Sequence, residues 1–187
     1  MRIIGGQRRG LRLADVGPGD AAAHLRPTAD RVREAIFNLL LNGPYGNPVQ
    51  GAHVLDLFAG TGALGLEALS RGAAHATFIE NGAAALGLLT QNIARMGATA
   101  TTTIRRQDAA RPGPPPAAPA SLVFLDPPYG KSMGEAALIA SLKGGWLAPA
   151  TLIVWEEERP PAPPTPLTLL DQRRYGGTLV SILRHTG

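Results

Sequence analysis

The sequence predicts an α/β fold in which a mostly parallel sheet of seven strands ends in an antiparallel hairpin. Short apolar segments alternate with helical patterns from residue 53 to residue 156, which is typical of β-α-β units. A glycine-rich loop lies between the first apolar segment and the helix that follows it. Near the C-terminus, two strand-like segments are joined by a short turn, as in a hairpin.

The elements follow from the apolar spacing along the chain. Parallel strands are predicted at 53–58, 75–80, 101–105, 121–126 and 151–156. Helices are predicted between them at 63–71, 83–96 and 132–143, and the closing hairpin at 167–174 and 178–184. The proline-rich stretches 112–119 and 160–166 are expected to be extended connections, because proline is excluded from helix interiors. Their use as motifs for proline-binding domains is the alternative.

The first 45 residues are predicted to form an extension that precedes a main domain of residues 46–187. Residues 2–5 and 11–14 predict a β-hairpin, and the spacing of apolar residues predicts a helix over 28–41. The first 33 residues contain seven arginines and three aspartates, so this segment carries the whole net charge of +4. A basic end indicates a polyanionic partner, with a solvated basic tail as the alternative.

Composition narrows the class of protein. A chain of 187 residues with 44% hydrophobic and 17% charged residues is typical of one globular domain and not of a disordered chain. Apolar runs are all shorter than the roughly 18 residues of a membrane span, and the first residues lack a secretory signal pattern. Without cysteine, disulfides and thiolate metal sites are excluded. We therefore expect a cytoplasmic protein.

The glycine loop has two interpretations. Gly60, Gly62 and Gly65 have the spacing of dinucleotide-binding loops, and Glu80 follows where such sites hold a ribose. Asp56 favours another ligand, because a carboxylate at the end of the first strand repels a diphosphate and attracts an ammonium or sulfonium group. S-adenosylmethionine carries both cations and a ribose, so we expect it here. NAD or another nucleotide, and a purely structural turn, are the alternatives.

The residues that flank these motifs complete the expected cofactor site. Phe58 and Thr61 belong to the glycine loop, and Asn81 follows Glu80 directly. Asp108 comes after the third strand, where its carboxylate is placed to accept a hydrogen bond from an adenine amino group. A simple turn aspartate is the alternative for Asp108.

Asp126-Pro127-Pro128-Tyr129 is the most specific motif in the chain. It follows the fourth strand, at the sheet edge where open α/β folds bind ligands. The prolines stiffen the loop and remove amide donors, so that it presents acceptors. The Asp126 carboxylate and the Pro127 carbonyl can accept the hydrogens of an exocyclic amine, and the Tyr129 ring can stack on an extruded base. A rigid turn with a structural tyrosine is the alternative.

Together, these motifs resemble the Rossmann-like class I amino-methyltransferases that act on adenine or guanine in nucleic acids. Within them, the sequence is similar to the bacterial family that methylates the 2-amino group of guanine 966 in 16S ribosomal RNA. The resemblance covers nearly the whole chain. It is carried by Arg2–Gln7 with Arg9-Gly10, Leu25–Thr28, Asp30–Glu34, Ala59–Arg71, Asp126–Tyr129 and Gly145–Leu147.

The resemblance implies a role for each matched position. Gly60 and Gly62 would line the methionine end of the cofactor, with its ribose at Glu80 and its adenine at Asp108. The helix with Arg26, Pro27 and Thr28 would cover the cofactor pocket. Asp126, Pro127 and Tyr129 would act on the base, with Pro128 as a further substrate contact. The charge of the basic N-terminal segment adds Arg2, Arg8, Arg9, Arg12 and Arg31 as expected substrate contacts. The sequence departs from the family at Arg8, at Asn81-Gly82 and in the proline stretch 112–119.

These implications give an expected function and its alternatives. We expect methyl transfer from S-adenosylmethionine to a guanine 2-amino group of 16S ribosomal RNA, by a monomer that acts on a small-subunit particle. An adenine N6-type methyltransferase of DNA or RNA is one alternative, and a non-catalytic RNA-binding protein on the same scaffold is another. No metal is expected, because the four histidines lack ligand spacing and the run Glu156–Glu158 is expected to be solvated.

Overall fold

The computed structural model describes residues 1–14 and 30–187, and these residues form one sheet of seven strands with helices on both faces. The strands are β1 (His53–Leu57), β2 (His75–Glu80), β3 (Thr102–Arg106), β4 (Ala120–Leu125), β5 (Leu147–Glu157), β6 (Leu167–Tyr175) and β7 (Thr178–His185). The α-helices are α1 (Asp30–Asn42), α2 (Ala63–Ser70), α3 (Ala83–Met96) and α4 (Met133–Lys143). Short 3₁₀ turns span Gly6–Arg8 and Thr99–Thr101.

The strand order is β3-β2-β1-β4-β5-β7-β6. The pairs from β3 to β5 are parallel, and β7 pairs antiparallel with both β5 and β6. This arrangement confirms the predicted fold class. The order of the strands reverses between β1 and β4, since the chain adds β2 and β3 on one side of β1 and then β4 on the other. The central crevice of the sheet therefore lies at the carboxyl ends of β1 and β4.

The predicted N-terminal hairpin is present in a short form, in which the amides of Ile3, Gly10 and Leu13 donate to carbonyls of the opposite segment. A single antiparallel bridge joins Arg2 and Arg12, and the turn between them is the 3₁₀ segment. The amides of Ile4 and Gly5 donate to the Glu67 carboxylate of α2, at 2.7 and 2.8 Å. These hydrogen bonds to a charged acceptor attach the hairpin to α2.

Two apolar clusters cover the two faces of the sheet. On one face, Ile3, Phe37 and Phe124 are buried in a cluster that joins the N-terminal segment and α1 to the central strands. On the other face, Trp146 and Trp155 belong to a cluster that includes α4. The segment 112–119 is not helical, and its Gly113 carbonyl accepts a hydrogen bond from Trp146 Nε1 at 3.1 Å. The prolines therefore form the extended connection that was predicted.

The helices of the described residues are short in comparison with membrane-spanning helices. None of these helices combines the length and apolar character needed to cross a bilayer.

Candidate active site

The carboxyl edge of the parallel strands brings the sequence motifs together. β1 lies between β2 and β4, so the glycine loop after β1 lies between Glu80 at the end of β2 and Asp126 directly after β4. Asp108 follows β3, one strand farther out. Because neighbouring parallel strands end at the same edge, motifs separated by up to 70 positions in the chain share one crevice.

The glycine loop has a backbone that side chains disfavour. Phe58, Gly60 and Gly62 all adopt positive φ, at 60°, 55° and 78°. A Cβ on Gly62 would collide with Leu89, and one on Gly65 would lie 2.5 Å from the Phe78 ring. Gly62 therefore serves the turn, whereas Gly65 allows α2 to pack closely on the sheet. Strained backbone at a non-glycine residue such as Phe58 is most often found at functional sites.

Asp56 lies beneath the glycine loop. Its side chain is 2% exposed, and Oδ2 accepts a hydrogen bond from the Gly65 amide at 2.9 Å. Burial raises the pKa of this carboxyl well above its usual range, and the negative charges of Asp126 and Glu80 act in the same direction. The side chain thus fixes the first turn of α2 against β1. A direct contact between Asp56 and a cofactor stays a prediction.

Glu80 binds backbone amides of the glycine loop and of the turn after β2. Its Oε2 accepts the Gly60 amide at 2.8 Å, while Oε1 accepts the amides of Asn81 and Gly82 at 2.9 and 2.7 Å. A carboxylate has about four acceptor positions, so Oε2 retains room for one more donor. The side chain therefore holds the glycine loop and can still receive a ribose hydroxyl.

Asp108 makes local contacts. Oδ1 accepts the Ala110 amide at 2.9 Å, and Oδ2 pairs with the exposed Arg111 guanidinium at 3.2 Å. These are the contacts of an aspartate that stabilises a turn. Its contact with an adenine stays a prediction, and each oxygen keeps an acceptor position for it.

The Asp126–Tyr129 loop is held from two sides. The Tyr129 hydroxyl lies 3.4 Å from Thr178 Oγ1 at the start of β7, and the Gly130 backbone hydrogen-bonds to Glu157 on β5. Burial, reinforced by the negative charge of Asp126, raises the pKa of Tyr129 to about 12. The phenol is therefore protonated at neutral pH. Asp126 and Tyr129 are half-buried and Pro127 is buried, as expected for a rigid loop at the rim of a pocket.

Glu156 corrects the expectation that the run 156–158 is solvated. Glu158 is exposed, but Glu156 is only 2% exposed. The reason is that β5 is an interior strand covered on both faces, so residues 151–156 are all buried. The continuous apolar run that ends at Glu156 was the signal in the sequence that could have identified it.

A second buried charged group was also absent from the sequence-based interpretation. Arg33 and Glu67 both have side chains with 0% exposure, and Arg33 Nε lies 3.6 Å from Glu67 Oε2. Arg33 also donates to the Arg2 carbonyl and to Asp30. Its position three residues before Ile36 on the buried face of α1 was the available signal.

The other arginines of the N-terminal segment that the structure describes face solvent. The exposed set comprises Arg2, Arg8, Arg9, Arg12 and Arg31. Arg8 and Arg9 end the 3₁₀ turn, which is fixed on α2 by a 2.9 Å hydrogen bond from the Arg8 amide to Ser70 Oγ. A basic surface is therefore attached to the helix that starts at the glycine loop.

Arg26, Pro27 and Thr28 lie outside the described residues. Ala14, the last residue before that range, exchanges hydrogen bonds with Asn92 of α3, at 2.6 and 3.0 Å. Asn92 is fully buried and also donates to the Thr61 carbonyl at 3.0 Å. The chain is thus fixed beside the glycine loop directly before residue 15.

A cavity at the opposite edge of the sheet is separate from this crevice. Its lining includes His53, His75, Pro116 and Trp146. His53 and His75 are the first residues of β1 and β2, so the cavity lies at the amino ends of the strands. Among the described side chains, no three of the histidines and carboxylates come together as a possible metal site.

Comparisons with known proteins agree with the fold and the motifs. The family model described as "Conserved hypothetical protein 95" matches residues 1–184. "Ribosomal RNA small subunit methyltransferase D" of Escherichia coli K12 is 41% identical over 161 residues, covering 84% of this chain and 75% of that protein. The Haemophilus influenzae protein of the same name is 35% identical over 181 residues, covering 94% and 89% of the two chains.

Solved structures give the same result. The structure described as "Putative methyltransferase yhhF from Escherichia coli" has a TM-score of 0.83 at 38% identity, and the match covers 100% of this chain and 98% of that one. The likeness therefore extends over the whole chain, including the N-terminal segment.

Proposed function

The chain belongs to the conserved hypothetical protein 95 family, and we propose that it transfers a methyl group from S-adenosylmethionine to the 2-amino group of a guanine in 16S ribosomal RNA. The observation that best supports this proposal is that the glycine loop and the Asp126–Tyr129 loop follow two adjacent strands and share one crevice. A donor held at the first loop and an amine held at the second would be brought together there. The names of the relatives supply the substrate class.

The proposed cofactor fits the chemistry of the residues at the glycine loop. S-adenosylmethionine would supply a methyl group bonded to a sulfonium. Glu80 retains an acceptor position for a ribose hydroxyl, and positive φ at Gly60 and Gly62 allows a ligand to approach the backbone closely. We place the adenine near Asp108 and the cover over the pocket at Arg26 and Thr28. Phe58, Thr61 and Asn81 complete the proposed contacts.

The proposed work of the second loop is to activate a poor nucleophile. The lone pair of the guanine 2-amino nitrogen is delocalised into the ring. Hydrogen bonds from this amine to the Asp126 carboxylate and the Pro127 carbonyl would localise the lone pair and fix its direction. As nitrogen forms its new bond to carbon it gains positive charge, and the negative Asp126 stabilises that charge more than it stabilises the ground state. Asp126 is also placed to accept the proton that nitrogen must lose.

The base and the RNA backbone would be held by different groups. Tyr129 would stack on the extruded guanine with Pro128 beside it, since a protonated phenol has no charge to repel the ring. The exposed arginines of the N-terminal segment would contact phosphates. We propose that the protein acts as a monomer, in the cytoplasm, on a small-subunit particle.

The test is methylation of small-subunit particles from a strain that lacks this gene. The particles are incubated with purified protein and methyl-labelled S-adenosylmethionine, and the label is located by nucleoside mass spectrometry and by mapping in the RNA. We expect label in N2-methylguanosine at one position of 16S RNA, and a rate lower by about 10²–10³-fold with the Asp126→Ala variant. Label in N6-methyladenosine would favour the adenine alternative. Absence of label, with RNA binding retained, would favour a non-catalytic RNA-binding protein.

A further inference from the structure

Glu156 is a buried carboxyl directly beside the proposed base-holding loop. Leu125 of β4 pairs with Trp155 of β5, so Asp126 and Glu156 come next along these two parallel strands. Side chains alternate between the two faces of a sheet, so Asp126 lies on the same face as Phe124 and Glu156 on the same face as Val154. Phe124 and Val154 belong to the apolar cluster that includes α1. The side chain of Glu156 is consequently enclosed at the carboxyl edge, behind Asp126.

The charged groups around Glu156 disfavour a second negative charge. Asp126 and Asp56 raise the pKa of Glu156, after burial as the main cause, and Arg33 lowers it. Arg33 is already engaged with Glu67, Asp30 and the Arg2 carbonyl. Tyr129 also faces this group, and its pKa of about 12 keeps it neutral. The balance of these effects holds the pKa of Glu156 well above its usual range.

The hydrogen bonds of Glu156 give independent evidence. Within the part of the chain that the structure describes, its Oε1 atom is buried and makes no hydrogen bond. A carboxylate oxygen that is buried without a donor is costly, whereas a neutral carboxyl has an O–H group of its own to donate. The Asp126 carboxylate follows the neighbouring strand in register with Glu156, and the two groups interact electrostatically.

We propose that Glu156 is a positioning residue for methyl transfer, which in its neutral form supports the Asp126 carboxylate and leaves Asp126 as the negative charge that receives the substrate amine. This inference rests on the function proposed above. It adds a residue that does not touch the base and acts through Asp126. Paired carboxyls of this kind divide their roles, because two like charges at close range cannot both be accommodated in a buried site.

The experiment compares how kcat depends on pH in the unmodified protein and in Glu156→Gln. Ionisation of Glu156 at alkaline pH would place a second negative charge beside Asp126, so kcat should fall as pH rises through the raised pKa of Glu156. Glutamine keeps the shape and a donor and cannot ionise, so Glu156→Gln should keep kcat near neutral pH within a few-fold and lose that alkaline decline. Glu156→Ala should lower kcat by roughly ten- to a hundredfold, because the side chain that lies beside Asp126 and positions it is lost.

Glu158→Gln is the matched control, because it removes one negative charge from the same run at an exposed position. Its pH profile should match that of the unmodified protein. A Glu156→Gln profile with the same alkaline decline as the unmodified protein would overturn the inference, and so would an unchanged kcat in Glu156→Ala. If the unmodified protein methylates no guanine, the proposed function fails and this inference fails with it.

A measurement on the unmodified protein covers the case in which the variants do not fold. With ¹³C-carboxyl-labelled glutamate, NMR titration should show a carboxyl that remains protonated at pH 7, when exposed glutamates are ionised. Its signal should be absent from the Glu156→Gln or Glu156→Ala spectrum where either folds. Ionisation of every glutamate carboxyl at neutral pH would overturn the inference without any measurement of activity.

Discussion

Arg33 and Glu67 form an ion pair in which neither side chain is exposed to solvent, with Nε and Oε2 3.6 Å apart. Glu67 also accepts the Ile4 and Gly5 amides and pairs with Arg71 at 2.7 Å. One carboxylate of α2 therefore joins α1, the N-terminal segment and the end of its own helix. Because α2 begins at the glycine loop, this group links the basic N-terminal surface to the proposed cofactor site.

We expect Glu67→Ala to be strongly destabilising. The substitution removes the α2 carboxylate that pairs with the buried Arg33, and it removes the acceptor of two backbone amides. Breaking a buried ion pair lowers the free energy of unfolding by about 3–5 kcal/mol. The free energy of unfolding, measured by urea titration, reports the loss. Glu158→Ala is the control, and it should change stability by no more than about 0.5 kcal/mol as an exposed substitution. Similar stabilities for the two variants would contradict this account of Glu67.

Binding of S-adenosylmethionine should raise the melting temperature, and NAD should not. A ligand specific for the folded state stabilises it by about 2.7 kcal/mol at a hundred times its dissociation constant. Glu80→Ala should reduce the shift, because it removes both the proposed ribose acceptor and the anchor of the Gly60 amide. Differential scanning fluorimetry measures both effects. A shift with NAD alone would instead support a dinucleotide site.

RNA binding should weaken with salt, in proportion to the number of phosphates that the arginines contact. The logarithm of affinity is expected to fall linearly with the logarithm of salt concentration, with a slope of about −0.7 to −0.9 per contact. Replacing Arg8 and Arg9 by Ala should make that slope shallower while the melting shift with cofactor is retained. Fluorescence anisotropy with a 16S RNA fragment provides the measurement. An unchanged slope in this variant would show that Arg8 and Arg9 are solvated and do not contact the RNA phosphates.

Asp126→Ala should lower turnover without loss of cofactor binding. Loss of a group that stabilises charge at the transition state typically costs about 10²–10³ in kcat. Tyr129→Ala should be milder, with a loss of roughly 1–3 kcal/mol of stacking on the base. Tyr129→Phe should retain most activity, because stacking requires the ring and not the hydroxyl. Near-normal methylation by Asp126→Ala would show that the assigned site is wrong.

Much of the fold could be predicted because its signals are local. β2 and α3 have the predicted limits, and the other strands and helices differ from prediction mostly by one or two residues at their ends. Apolar periodicity, glycine and proline act over a few positions, so they are readable without a structure. The attachment of the N-terminal hairpin to α2 could not be predicted, because its acceptor, Glu67, lies 63 positions from Ile4.

The sequence by itself determined the family, the order of elements and the placement of the two loops at one edge, because parallel strands carry their carboxyl ends to the same side. Only the tertiary structure decided which charged side chains are enclosed. Arg33 and Glu156 look like solvated residues in the sequence, yet α1 and an interior strand bury both. Burial depends on which elements pack against a side chain, and those contacts come from distant parts of the chain.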